Sequence, residues 1–213
     1  MTINWSEYLS GVRMWVSQCP EPVMETAVRD AAARLCNDSL IIRSTLDSIT
    51  ATVGNASYIL TEPSDTYIVS AVSVLYNDNP LIAKTEEELD ECDPGWRTAE
   101  NSDGIQFYFQ PIPSQITLNR APLTEVSGGI VVKVATMPDA DCEGGADLLY
   151  QEYREFICHG AIGKLKRMKD KAWEDQAGAA YHENQFNFGI QRAKARARMG
   201  NTIKSTRMKI PKV

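Results

Sequence analysis

Near the end of the chain, apolar residues recur every three or four positions, a spacing that predicts two consecutive helices between Asp147 and Arg198. The apolar stripe of the first helix comprises Leu149, Tyr153, Phe156, Ile157, Gly160, Ala161 and Leu165. The stripe of the second comprises Trp173, Ala177, Ala180, Tyr181, Phe188 and Ala195. The link between them, Met168 to Lys171, has the length that joins antiparallel neighbours, so the pattern predicts a helical hairpin.

Two glycines interrupt the first of these helices. Gly160 and Gly163 would each cost about 1 kcal/mol relative to alanine inside a helix. Their presence indicates close approach by another backbone. For Gly163, a tolerated surface glycine is the alternative interpretation.

The start of the chain also has helical periodicity. A first helix is predicted to carry Trp5, Tyr8, Leu9, Val12, Trp15 and Val16, and to end at the stretch Cys19 to Pro22. A second begins there, because Pro22 suits a first helical turn and Glu21 suits the positive end of the helix dipole. Its stripe comprises Met24, Ala27, Val28, Ala31 and Leu35, and both helices are expected to pack against the C-terminal pair.

The middle of the chain changes to an extended pattern rich in β-branched residues. Strands are predicted at Leu46–Thr50, Ala56–Leu60, Thr66–Tyr76, Leu81–Ala83, Ile105–Phe109, Gln115–Asn119 and Ile130–Ala135. Several short strands between turn residues favour a small antiparallel sandwich or a curled sheet. The acidic segment Thr85 to Asp93 is expected to form one or two helical turns.

These elements together predict an α+β fold with a bundle of about four helices, two N-terminal and two C-terminal. The helical core spans residues 1–44 and 146–198, and residues 45–145 form an inserted antiparallel β subdomain that resembles a sandwich. Residues 199–213 form an extended, basic C-terminal tail.

The net charge of −6 is divided unevenly along the chain. From Lys164 to Val213 there are 13 basic and 4 acidic residues, a balance of +9. The remainder has 22 − 13 = 9 basic and 28 − 4 = 24 acidic residues, a balance of −15. Such asymmetry indicates that the minority segment contacts a partner.

The sequence also indicates the cellular compartment of the protein. No apolar run approaches the roughly 18 residues of a membrane span, and the N-terminus lacks the pattern of a signal peptide, so the protein is expected to be made and kept in the cytoplasm. The five cysteines have no Cys-x-x-Cys spacing and are expected to be reduced thiols.

Motifs that could carry chemistry are weak. Asp139, Asp141 and Glu143 resemble the start of a calcium loop, but Tyr150 stands where the bidentate glutamate belongs. An acidic loop that caps the following helix explains them better.

Cys158 and His159 are adjacent in the chain and could suggest a catalytic dyad. Adjacent residues on a helix point about 100° apart, so Cys158 and His159 do not form a dyad. The pairs Gly128-Gly129 and Gly144-Gly145 lack the context of a phosphate loop, and neither enzymatic activity nor a metal or cofactor is expected.

The strongest electrostatic feature is a basic stripe near the C-terminus. It comprises Arg192, Lys194, Arg196, Arg198, Lys204, Arg207, Lys209 and Lys212. It could simply solubilise a helix end, or it could bind nucleic-acid phosphate or an acidic protein surface. Because no aromatic residues are interleaved for base stacking, a protein partner is at least as well supported as nucleic acid.

The order of these features resembles a family of tailed-phage head-to-tail adaptor, or connector, proteins. The resemblance covers about residues 5–198 and departs from the family at Leu40–Ile42 and at Ile105–Pro122. Its N-terminal half rests on Trp5, Trp15, Cys19-Pro20, Arg29–Ala32, Cys36, Tyr58–Leu60 and Asp93–Arg97. Its C-terminal half rests on Leu148–Gly163, Lys171–Trp173, Ala179–Tyr181, Phe186, Gly189 and Arg192-Ala193.

This resemblance implies a structural protein of the virion neck, between capsid and tail. Such adaptors form a homo-oligomeric ring, commonly of twelve copies, beneath the portal protein, with tail or nozzle proteins below and a channel for DNA ejection. In these proteins a helical core carries an inserted β domain and the C-terminal segment docks into the portal, so the eight basic residues are expected to bind the portal. An acidic body would let genomic DNA pass without sticking. A nucleic-acid-binding accessory protein that uses the same tail, or a tail-completion protein, is the alternative.

Overall fold

The computed structural model describes residues 2–97 and 104–200, and within these ranges the fold is α+β, as predicted. The helices are α1 (Leu9–Arg13), α2 (Glu21–Ser39), α3 (Glu86–Cys92), α4 (Asp147–Lys166) and α5 (Gln176–Met199). The first six strands are β1 (Thr2–Asn4), β2 (Arg43–Thr45), β3 (Ile49–Ala51), β4 (Ser57–Ile59), β5 (Thr66–Tyr76) and β6 (Asn79–Pro80). The others are β7 (Ile82–Ala83), β8 (Phe107–Ile112), β9 (Gln115–Leu118), β10 (Val126–Pro138) and β11 (Gly144–Ala146).

The N-terminus differs from the single predicted helix. The short strand β1 pairs antiparallel with β11, a 3-10 turn follows at Trp5–Tyr8, and α1 is five residues long. β1 can lie there because Gly144 has no side chain, and a Cβ at that position would overlap the Ile3 carbonyl. The Trp15 side chain is 50% exposed, so the prediction that it lies on a buried stripe is wrong.

Helix α2 forms as predicted. It begins after Pro20, has Pro22 in its first turn, and buries the whole expected stripe: Met24, Ala27, Val28, Ala31 and Leu35. It ends where Leu40 takes a left-handed conformation and donates its N–H to the Cys36 carbonyl at 2.8 Å.

The connection between α4 and α5 is longer than predicted. Trp173 lies in the link instead of on the second helix, which begins at Gln176. Asp175 sets this boundary because its side chain accepts a hydrogen bond from the Gly178 N–H at 2.8 Å, as an N-cap does. Lys166, at the end of α4, contacts the same carboxylate at 3.0 Å and fixes the turn.

Helix α5 buries the face opposite to the predicted one. Its buried residues are Ala179, His182, Phe186, Gly189, Ile190, Ala193 and Ala197. The predicted stripe of Ala177, Ala180, Tyr181, Phe188 and Ala195 is exposed. The small residues on the buried face decide the orientation: Gly189 lies against Phe156 of α4, where a Cβ would overlap the ring.

The strands form two larger sheets. One has the order β2-β10-β5-β6 with β3 also paired to β10, and the other has the order β4-β9-β8-β7. The pairs are antiparallel except β7 with β8, which is parallel, so the wholly antiparallel prediction needs correction there. β5 has the predicted bounds, and β10 extends beyond the predicted strand at both ends. Of the predicted strand Leu46–Thr50, only Ile49 and Thr50 lie in a strand, β3, and residues 46–48 connect β2 to β3.

Buried apolar residues form two clusters. One joins α1, α2, α4 and α5, and the other lies among the strands from Ala51 to Val134. β10 contributes to both, since Val132 and Val134 lie in the sheet cluster while Met137 packs against the helical one. The long strand therefore ties the sheets to the helices.

Helices α2, α4 and α5 meet at Gly160. A Cβ there would lie 2.8 Å from Cδ2 of Phe186 and 3.0 Å from Cβ of Ala31. The expected close approach is thus made by side chains. At Gly163, which is buried, it is made by backbone, because a Cβ would lie 3.4 Å from the Ala179 oxygen and the Glu183 nitrogen. Gly163 is therefore not a surface glycine.

This difference between the two glycines makes a matched pair of variants. Gly160→Ala should lower the free energy of unfolding by about 1–3 kcal/mol because the ring of Phe186 must move. Gly163→Ala, whose new methyl would make ordinary contacts, should be neutral or stabilising by up to about 1 kcal/mol. Urea denaturation of both variants tests this prediction. Equal destabilisation would contradict the conclusion that a Cβ is excluded at Gly160 and tolerated at Gly163.

Candidate docking surface

The basic residues at the end of α5 do not share one environment. Buried alanines, Ala193 and Ala197, alternate with them and hold this part of the helix against the protein. Arg196 is half-buried and forms an ion pair with Glu152 of α4. Its charge is therefore partly used to fix α5 on α4.

Arg192 and Arg198, in contrast, are exposed. Within residues 2–97 and 104–200, no carboxylate forms an ion pair with either of them. The helix ends when Gly200 takes a positive φ of 65° and donates its N–H to the Arg196 carbonyl at 2.8 Å. Both free cations thus lie in the last two turns, next to the point where the chain leaves the helix. Lys204, Arg207, Lys209 and Lys212 lie outside the described residues.

A groove runs along the outside of α4, beside α1. It encloses about 770 Å³ and is lined by Met14, Trp15, Tyr150, Arg154, Glu155 and Tyr181, among others. Arg154 is held in place there by a 2.7 Å hydrogen bond to the Ser10 hydroxyl. The groove offers exposed aromatic surface next to a carboxylate, which suits a polypeptide more than a small molecule.

Cys158 and His159 point in different directions, as the helical geometry predicts. The Cys158 thiol is buried and donates a hydrogen bond to the Tyr8 carbonyl at 3.6 Å. Burial raises the pKa of this thiol to about 11. It is therefore protonated at neutral pH and a poor nucleophile.

His159 instead contacts His182, a pairing that the spacing of the two residues in the chain does not reveal. Their Nδ1 atoms are 2.7 Å apart, so one ring donates a proton and the other must be neutral to accept it. Burial lowers the pKa of His159, and burial together with His159 and Lys166 lowers the pKa of His182 to about 4. The Trp15 ring packs edge-on against His182 at 4.8 Å. The pair is a neutral clamp between α4 and α5.

The acidic loop that resembles a calcium loop has a local role. Asp139, Asp141 and Glu143 are exposed, and the Asp139 carboxylate accepts from the Ala140 N–H at 2.6 Å. They do not cap α4, because β11 lies between and the cap position, Ala146, has no side-chain hydrogen bond. In the part of the chain that the structure describes, no group of three or more His, Cys, Asp or Glu side chains is placed to hold a metal ion.

A family model for the SU10 adaptor protein matches residues 3–207, nearly the whole chain. The chain belongs to the SU10 adaptor protein family. This is a family of structural phage adaptors and not of enzymes, and membership implies a component of the virion neck that associates with portal and tail proteins. No curated protein matches the chain. Among the described helices of this adaptor, none is long and apolar enough to cross a bilayer.

The segment Asp93–Arg97, one of the stretches that carried the resemblance, forms a polar anchor in the adaptor. Trp96 donates to Asp90 of α3 at 2.8 Å, and Arg97 contacts the same carboxylate at 3.0 Å. Asp93 pairs with Arg120 at 2.9 Å, and this arginine and Asn119 lower the pKa of the Asp93 carboxyl. α3 itself begins with a capping box between Thr85 and Glu88. Asp90 therefore holds the segment on α3, and Asp93 holds it against Asn119 and Arg120, the residues that follow β9.

The histidine clamp predicts a pH dependence of stability. Because the folded pKa of His182 lies below its ordinary value of 6.5, the unfolded chain binds more protons between about pH 6.5 and 4. The contribution of neutral His182 to the free energy of unfolding is therefore complete above pH 6.5. It should fall as the pH drops through this window, by up to about 1.4 kcal/mol per pH unit for each extra proton.

Denaturation between pH 4 and 7.5, compared with a His182→Gln variant, tests the clamp. The carboxylates that face the pair, Glu155 and Asp175, and the cation Lys166 remain in both proteins. The variant should have a slope shallower by about one proton. Parallel slopes in the two proteins would show that the pair does not titrate as its burial requires.

Proposed function

We propose that this protein is a head-to-tail adaptor that forms a homo-oligomeric ring of about twelve copies beneath the portal protein. The ring would join the portal to tail or nozzle proteins and leave a channel for DNA during ejection. The observation that carries this proposal is the family match over residues 3–207. The copy number and the channel come from the wider resemblance to connector proteins.

The C-terminal basic residues are the proposed contact with the portal. Arg192 and Arg198 support this because both are exposed and neither has a carboxylate partner among the described residues. Lys194 is half-exposed beside them, whereas Arg196 is shared with Glu152 and contributes less. Lys204, Arg207, Lys209 and Lys212 would extend the contact along the tail, residues 199–213.

The rest of the chain supplies the platform. We propose a helical bundle of residues 1–44 and 146–198 with residues 45–145 inserted as a sandwich-like β subdomain, a division supported by the two separate apolar clusters. The balance of −15 over residues 1–163 would repel the phosphate backbone and let DNA pass.

The portal contact can be tested by removing charge or chain. Deletion of the residues after Asn201 should leave the thermal unfolding midpoint unchanged and weaken binding to the portal protein from the same genome at least tenfold. Arg192→Glu should also weaken binding, whereas Lys133→Glu, an exposed change of equal charge on β10, should not. Binding is measured by mass photometry or light scattering of the mixed proteins at near-physiological salt. Unchanged binding in both C-terminal variants would contradict the assignment.

A DNA titration separates the main alternative. An accessory protein that used the basic tail on phosphate would bind duplex DNA with a dissociation constant that rises steeply with salt. For the adaptor, the acidic body should keep the affinity for DNA weak even at low salt. Tight binding that is lost with the residues after Asn201 would favour the accessory protein, and tail-side association without portal binding would favour a tail-completion protein.

A further inference from the structure

Helix α5 has two apolar faces, and the protein covers only one of them. The inner face carries the buried residues described above. The outer face carries Ala177, Ala180, Tyr181 and Phe188, with the Tyr181 side chain 55% and the Phe188 side chain 63% exposed. A helix that is apolar on both sides is typical of an element buried between two partners.

The outer face is also free of charge over four turns. Its exposed residues from Gln176 to Gln191 are alanine, asparagine, glutamine, tyrosine and phenylalanine. The outer side of α2, a helix of similar length in the same bundle, carries Glu21, Asp30, Arg34 and Asp38 instead. Glu183, the one charged residue in that part of α5, turns away to pair with Arg34 at 2.8 Å. Charge is thus excluded from this face in a chain where 23% of residues are charged.

We propose that this outer face of α5 is a contact surface for a second copy of the same chain. The inference rests on the proposed adaptor function for the expectation that several copies meet. A face without charge is where two copies that each carry −6 can approach with least repulsion. Depletion of charge around exposed aromatic residues is the composition found at the centre of protein interfaces.

Other occupants fit this face less well. Nucleic acid requires cations, which are absent between Gln176 and Gln191. A bilayer requires larger aliphatic side chains than the exposed alanines and amides that accompany Tyr181 and Phe188 between Gln176 and Gln191. The basic last turns, proposed for the portal, begin where the uncharged face ends, so the two contacts divide the helix between them.

The groove beside α4 continues the surface. Tyr181 lies on the outer face and also lines the groove, together with Met14 and Trp15. All three side chains are half or more exposed, although Trp15 packs against His182 and Tyr181 packs against His159. A neighbouring copy that packs on α5 would cover them as well and would extend the contact toward α1.

Charge introduced on the face tests the proposal. Sedimentation of the full chain over a range of concentrations should show self-association, and Phe188→Glu should weaken it at least tenfold. Because Phe188 also approaches the Phe156 ring at 6.1 Å, Asn184→Glu serves as a second variant at an exposed position on the same face. Ile59→Glu, at a side chain that is 80% exposed on β4, is the matched control and should self-associate like the natural protein.

The contact can also be trapped directly. A photoreactive phenylalanine analogue at position 188 should crosslink two copies, alone or on the portal, and the same analogue at position 59 should not. Self-association that survives both Glu substitutions, or crosslinks absent at position 188, would overturn the proposal. Portal binding is read separately in the same mixtures. Its absence beside intact self-association would refute the adaptor function and leave the contact surface standing.

Discussion

The contact at Gly160 is the constraint on which the helical part of this adaptor depends. There the side chains of Phe186 and Ala31 come so close to the α4 backbone that a methyl group would overlap them. Because that position is shared by α2, α4 and α5, it fixes the distance among all three helices at once. The rotation of α5 follows from it, since Phe186 can reach Gly160 only when the opposite side of the helix faces outward. The exposure of Tyr181 and Phe188 is therefore a consequence of how the core is packed.

Elements with strong local signals were predictable from the sequence, and elements set by distant contacts were not. α2 combines a proline start with a regular stripe, and β5 is a run of 11 residues rich in β-branched side chains, so local preference and tertiary structure agree. β1 is three residues long and depends on Gly144, which lies 140 residues further along the chain. No local pattern near Thr2 predicts that this strand pairs with β11.

The candidate docking surface also has features that the sequence predicted and features that depend on distant contacts. The basic stripe could be read from the sequence, but its separation into two free arginines and one arginine paired with Glu152 required the register of α5 on α4. The histidine clamp required the same register. For α5 the periodicity itself was correct and the assignment of the face was wrong, because the sequence has two apolar stripes and periodicity cannot tell which one the chain buries by itself. A second stripe of this kind is a signal that sequence reading could use.

The two apolar clusters are completed at different times during synthesis. The buried residues of the sheet cluster lie in one continuous stretch between Ala51 and Val134, so all of them have been made before α4 begins at Asp147. The helical cluster joins Trp5 and Tyr8 to Phe186 and Ile190, and it cannot close until nearly the whole chain has been translated. The apolar residues of the N-terminal segment must therefore wait for most of translation before their partners in α4 and α5 exist. The last helix to emerge is then the one that both completes the core and presents the outward face, so a truncated chain would lack both together.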